Sequence, residues 1–180
     1  ITATVTVEGE TLTRTVRLRW GAVVSDIAFQ CDSPATGGSD ICTVKSDGTG
    51  AANLTQDAAS HATWPAWSPV GDSIVVGGIQ NGRSDLYLVN AADGRFARLT
   101  DDTWDEKEPA WSPDGRTIAY SEFGAMPDMD PSVYLMNPDG DHRRQIVKKA
   151  AFAGWSPDGR QIGYISWADP AELHVADADG

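Results

Sequence analysis

Residues 109–120 run Pro109-Ala110-Trp111-Ser112-Pro113-Asp114-Gly115-Arg116-Thr117-Ile118-Ala119-Tyr120. Ser, Pro and Gly at the first, second and fourth places of Ser112–Gly115 are the residues a type I turn favours. The apolar segments on either side then read as two antiparallel strands joined by that turn. The pattern recurs at Trp67-Ser68-Pro69-Val70-Gly71 and at Trp155-Ser156-Pro157-Asp158-Gly159, with both steps between tryptophans equal to 44 residues. Seven residues after each Trp an apolar run begins: Ile74-Val75-Val76, Ile118-Ala119-Tyr120 and Ile162-Gly163-Tyr164. A second run follows each (Leu86–Val89, Val133–Met136, Leu173–Val175) and ends in a turn at Asp93-Gly94, Asp139-Gly140 or Asp179-Gly180. Upstream, Trp20, Ile27-Ala28-Phe29, Ile41–Val44 and Asp47-Gly48 form a worn copy without the Ser-Pro-Asp-Gly turn.

Each repeat reads as four short strands, the fourth being Ala51–Thr55, Phe96–Thr100 or Arg143–Val147. No segment carries a sustained helical period, so the fold class is all-β. A four-stranded unit of about 40–45 residues in tandem is the pattern of a β-propeller blade. One blade cannot cover both of its faces, so neighbours must stack. Trp20, Trp67, Trp111 and Trp155 are therefore assigned to packing between blades, and Pro69, Pro113, Pro157, Gly71, Gly115 and Gly159 to the repeated turn. The repeats are placed at 20–63, 64–108, 109–153 and 154–180, preceded by strands within 1–19. Two architectures are open. The alternating strand Thr2–Val7 could supply the missing fourth strand of the last repeat and close a small four-bladed ring. Alternatively, residues 1–19 form a hairpin turning at Glu8-Gly9-Glu10, the tail of a preceding β-sandwich, and the repeats are part of a larger propeller. The second is preferred, because four blades curve tightly.

The run 109–120, the segment Val133–Gly140 and the Leu99-Thr100 ending before an acidic stretch together resemble the TolB-type β-propeller repeat, over residues ~20–180. The resemblance implies blades of a propeller. The namesake of the family is a six-bladed periplasmic protein that binds partners of the cell envelope. The repeat is also found beside the hydrolase domain of prolyl-oligopeptidase-type peptidases, in tricorn-type proteases and in some lyases. This chain holds about four repeats and no recognisable copy of the α/β domain that precedes the TolB propeller.

Composition narrows the function. With 14 Lys+Arg against 26 Asp+Glu the formal charge is −12, which disfavours phosphate backbones and anionic lipid surfaces. Hydrophobic residues make up 41%, enough for a core, and no apolar run approaches the ~20 residues of a membrane helix. Cys31 and Cys42 flank a loop between adjacent strands and are expected to form a disulfide, which would place the chain in an oxidising compartment outside the cytoplasm.

The acidic stretch Asp101-Asp102-Thr103-Trp104-Asp105-Glu106-Lys107-Glu108 is read as a loop joining two repeats, matched by loops carrying Trp64 and Phe152. One aromatic per loop on one face suits a protein or peptide partner, and the acids favour a basic segment or a cation. Trp64, Asp101, Asp102, Trp104, Asp105, Glu106 and Phe152 are the candidate binding residues. No metal is assigned: Asp128-Met129-Asp130 and Asp177-Ala178-Asp179 lack the spacing of an EF-hand, and the histidines are scattered. No Gly-x-Ser-x-Gly, Gly-x-Gly-x-x-Gly or His-Glu-x-x-His motif is present, so neither catalytic residues nor a cofactor are assigned. The chain is expected to be a non-enzymatic propeller module that binds a protein or peptide outside the cytoplasm. The alternatives are the propeller of a prolyl-oligopeptidase-type peptidase, a structural module of a long surface or filament protein, and an acid-rich carbohydrate or cation site at the propeller mouth.

Overall fold

A computed structural model describes residues 2–7, 10–15, 26–33, 37–56, 61–80, 82–124 and 130–179. All regular structure in these residues is β. The strands are β1 (Thr2–Val7), β2 (Glu10–Thr15), β3 (Asp26–Asp32), β4 (Ser39–Lys45), β5 (Ala52–Asn53), β6 (His61–Trp67), β7 (Ser73–Gln80) and β8 (Arg83–Asn90). They continue with β9 (Phe96–Arg98), β10 (Asp105–Trp111), β11 (Ile118–Phe123), β12 (Ser132–Met136), β13 (Arg144–Lys148), β14 (Ala150–Trp155), β15 (Gln161–Ser166) and β16 (Leu173–Asp177). Four antiparallel sheets follow one another: β3-β4-β5, β6-β7-β8-β9, β10-β11-β12-β13 and β14-β15-β16. They are blades one to four, and every strand pairs with its neighbour in sequence, as a meander. The strand carrying Trp20 in the first repeat lies outside the described residues.

The full blades start three or four residues before the expected borders, at His61, Asp105 and Ala150. The closed four-bladed ring is not formed. β1 pairs with β2 in register from Thr2↔Thr15 to Val7↔Glu10, a hairpin of its own, rather than with β16.

The repeated turn forms as its residues dictate. Gly71, Gly115 and Gly159 donate their N–H to the carbonyls of Ser68, Ser112 and Ser156 at 3.0 Å. Asp114 Oδ1 accepts from the Ser112 hydroxyl and the Arg116 N–H, and Asp158 repeats this with Ser156 and Arg160. Where Val70 replaces the Asp in blade two, Asp72 Oδ1 takes over the Ser68 hydroxyl at 2.8 Å.

Three apolar clusters fill the three seams between blades. Ile41, Ala62, Ile74, Val76 and Val89 join blades one and two. Val75, Leu86, Leu99, Ile118, Tyr120 and Met136 join two and three, and Ala119, Val133, Leu135, Ala150, Ala153 and Ile162 join three and four. The tryptophans sit at these seams. Trp111 Nε1 donates to the Ala66 carbonyl of the previous blade, and Trp155 Nε1 to Ala110, both at 3.1 Å. Gly140 lies so close to the previous blade that a Cβ on it would stand 2.5 Å from the Leu99 carbonyl oxygen, and its φ is +88°. Only glycine meets both conditions.

Cys31 on β3 and Cys42 on β4 form the expected disulfide, with a Cα–Cα distance of 5.9 Å.

Candidate functional site

The first strands β6, β10 and β14 of successive blades pack against one another, whereas the fourth strands β9 and β13 make their main contacts within their own sheets. The first strands are therefore the inner wall and the fourth strands the rim. Each inner strand carries a β-bulge: its register skips between Thr63 and Ala66, Lys107 and Ala110, or Ala151 and Gly154. At the bulges Trp64, Glu108 and Phe152 have φ of 49°, 57° and 58°. Left-handed backbone at a bulky residue costs about 1–3 kcal/mol and concentrates at functional positions. The three are 44 residues apart and so occupy one position of the repeat.

Trp64 is 38% exposed and Phe152 56%. The Trp64 ring lies over Gly77, where an added Cβ would come within 2.9 Å of Cε3. In blade three the equivalent residues are Glu108 and Ser121, and the Ser121 hydroxyl donates to Glu108 Oε2 at 2.8 Å. The Phe152 N–H of the next blade donates to both Glu108 Oε2 and Ser121 Oγ, at 3.1 Å each. Polar and aromatic bulge residues are thus joined along the inner wall.

This arrangement corrects the expected placement of these residues in loops. Trp64 and Phe152 are strand residues, not loop residues. Their counterpart in the repeat is Glu108, not Trp104, which lies four positions earlier in the connecting loop. The acidic stretch is also only half loop. Asp101–Trp104 connects the blades, and Asp105–Glu108 belongs to β10. Asp105 accepts from the Ser84 N–H at 3.1 Å and pairs with Lys107 at 3.0 Å. The exposed acid on that stretch is therefore less than its composition suggests.

Glu106 is fully buried in the seam between blades two and three. The Thr100 hydroxyl donates to its Oε2 at 2.9 Å, while the Ser84 hydroxyl caps its backbone carbonyl. Across the strands it faces Glu122, and the register pairs the two directly. Asp102 lies beside them, held by Arg143 Nη1 at 2.7 Å and by the Trp104 N–H at 2.9 Å. One carboxylate oxygen from each of Asp102, Glu106 and Glu122 lies within 4.8 Å of the others. Burial, reinforced by the neighbouring Asp102, pushes the Glu106 carboxyl up to about 9. Burial also raises Glu122. For Asp102 burial is outweighed by bonds from Glu106, Trp104 and Arg143, so its carboxyl falls below the usual range. Of the seven candidate residues, Trp64 and Phe152 belong to an inner-wall row and Asp102 and Glu106 to an acidic seam, while Asp101, Trp104 and Asp105 belong to neither. The row was hidden from sequence reasoning because nothing local signals a left-handed tryptophan. Its only trace was the 44-residue step to Glu108.

The sequence matches the family model described as the TolB beta propeller domain over residues 34–180. The fold resembles that of a putative TolB from Agrobacterium tumefaciens, with a TM-score of 0.74 and 24% identity, over 87% of this chain and 58% of that one. TolB from Acinetobacter baumannii aligns at 0.71 and 20% identity, over 86% of this chain and 39% of that one. An oligogalacturonate lyase from Vibrio parahaemolyticus aligns at 0.66 and 15% identity, over 86% and 46%. The chain thus spans between 39% and 58% of the length of these structures, and the likeness is one of fold. With meandering blades, the recurrent Ser-Pro-Asp-Gly turn and a family match over residues 34–180, the chain belongs to the TolB β-propeller family.

Proposed function

We propose that this chain is a non-enzymatic binding module that engages a protein or peptide partner outside the cytoplasm. The observation that carries the reading is the inner-wall row, where Trp64 and Phe152 stand exposed on left-handed backbone with Glu108 between them. Large aromatics held on a rigid sheet supply contact area with little ordering cost, the pattern of binding anchors. The charge of −12 steers basic segments toward the chain. The Cys31–Cys42 disulfide supports an oxidising compartment. The partner expected on these grounds is an extended segment with both basic and apolar residues.

A random peptide library displayed on phage and panned against the chain tests this. Enriched peptides combining Lys or Arg with apolar residues are expected. Their binding should weaken with salt and be lost in Trp64→Ala/Phe152→Ala. Absence of enrichment, or peptides that bind that variant equally well, would overturn the reading.

A further inference from the structure

The buried acids do not belong to the inner-wall row and serve no purpose in the binding reading. Cross-strand like charges destabilise a sheet, and a buried carboxylate without compensation is costly. The same repeat position shows that the fold does not require them. Glu106↔Glu122 in blade three is Ala62↔Gly78 in blade two and Ala150↔Ser166 in blade four. Ala62, Glu106 and Ala150 are all completely buried.

Two buried polar atoms near this pair have no hydrogen-bond partner, Asp85 Oδ1 and the Tyr120 hydroxyl, and Glu106 Oε1 has none unless Glu106 holds a proton toward Asp102. Tyr120 is fully buried and lies two residues before Glu122, on the same face of β11. The charges acting on its hydroxyl are those of Arg143, Glu122, Glu106 and Asp102. Asp85, 2% exposed, is tied to Arg98 through its other oxygen at 2.8 Å. Unpartnered buried groups near a cluster of carboxylates point to something missing there.

We propose that Asp102, Glu106 and Glu122 form a calcium site in the seam between blades two and three. The donors are all oxygens, which suits a hard cation and excludes soft metals. Calcium accepts several protein carboxylates in a flexible shell, whereas magnesium demands near-ideal octahedral geometry, keeps several waters and is usually held by one or two carboxylates, so a cluster of three carboxylates suits calcium better. Once Glu106 gives up its proton as an ion binds, three carboxylates beside the guanidinium of Arg143 carry two negative charges, which one divalent ion neutralises. Asp102, with 34% of its side chain exposed, opens the site to solvent.

Terbium(III) excited through Tyr120 and Tyr134 reports occupancy of the site directly. Saturable emission displaced by calcium is expected, together with a calcium-dependent rise in melting temperature of about 5–10 °C at a hundredfold excess over Kd. Glu106→Gln should weaken calcium binding roughly tenfold or more, while Glu172→Gln on the exposed β15–β16 loop should leave it unchanged. If Glu106→Gln does not fold, Glu122→Gln must show the same loss. No emission and no calcium effect on the wild-type chain would overturn the site and leave a bound proton as what neutralises the pair. Variants that bind as well as the wild type would place the ion elsewhere, and a melting shift with magnesium as large as with calcium would overturn the calcium assignment.

Discussion

The seam between blades two and three and the seam between blades three and four are built on the same scaffold, yet one is acidic and the other apolar. Both use a tryptophan donating to the preceding blade at 3.1 Å, and both have a fully buried residue two positions before the left-handed bulge residue. That residue is Glu106 in one and Ala150 in the other. Around Ala150 the neighbours are Ala119, Val133, Leu135 and Ile162. Around Glu106 they are Thr100, Asp102, Glu122 and Arg143. The comparison separates what the repeat needs, which is a small or well-satisfied buried side chain, from what blade three has added.

Transplanting the acid should have the largest effect. Ala150→Glu places a carboxylate in an apolar seam with no threonine or guanidinium to receive it, and is expected to cost about 3–5 kcal/mol in urea denaturation. A loss under 1 kcal/mol would show that the seams are less different than their residues suggest.

A pH series comes next. Burial raises Glu106 from the ordinary 4.5 to about 9, so the folded chain keeps a proton that the unfolded chain releases. Its contribution to stability is full below pH 4.5 and is lost as pH rises toward 9. In the presence of a chelator the urea midpoint should fall between pH 5 and 9, and Glu106→Gln should flatten that fall, with an effect of about 1 kcal/mol or more. A slope unchanged by the substitution would assign the titration to another group.

The tryptophans offer a smaller test. Trp111→Phe and Trp155→Phe should each cost about 1 kcal/mol through the lost bond to the preceding carbonyl. Trp67, whose Nε1 has no partner among the described residues, should lose less as Phe.

The turns give the smallest differences. Asp114→Ala removes two accepted bonds and should cost about 0.5–1 kcal/mol. Val70→Asp should stay within about 0.5 kcal/mol, because Asp72 already occupies the Ser68 hydroxyl. A clear gain from Val70→Asp would mean that Asp72 is a poor substitute.

What could be read from the residues follows the range of the forces involved. The Ser-Pro-Asp-Gly turn is local chemistry, so Ser112 to Gly115 announced it, and its 44-residue recurrence announced blades. The Cys31–Cys42 link was legible because adjacent strands bring such residues together. The acidic stretch misled because charge suggests solvent. Asp105–Glu108 are strand residues, and Glu106 is as buried as any alanine in the core. That burial depends on Thr100 from the blade before and Glu122 from the next strand, which no local pattern encodes. The bulge at Trp64 was invisible for the same reason, since left-handed φ is signalled locally only by glycine or asparagine.

The ties between blades run both ways: Ser84 and Thr100 of blade two donate forward to blade three, while the tryptophans and Arg143 reach back. In each case the group on the earlier side is made first: Ala66 and Ala110 before Trp111 and Trp155, Leu99 and Asp102 before Arg143, and Ser84 and Thr100 before Glu106. During synthesis a blade emerging from the ribosome therefore meets a finished docking surface rather than one still to be made. The order of translation is also the order in which these seams can close, so the growing chain zips forward and hides each apolar face soon after it appears.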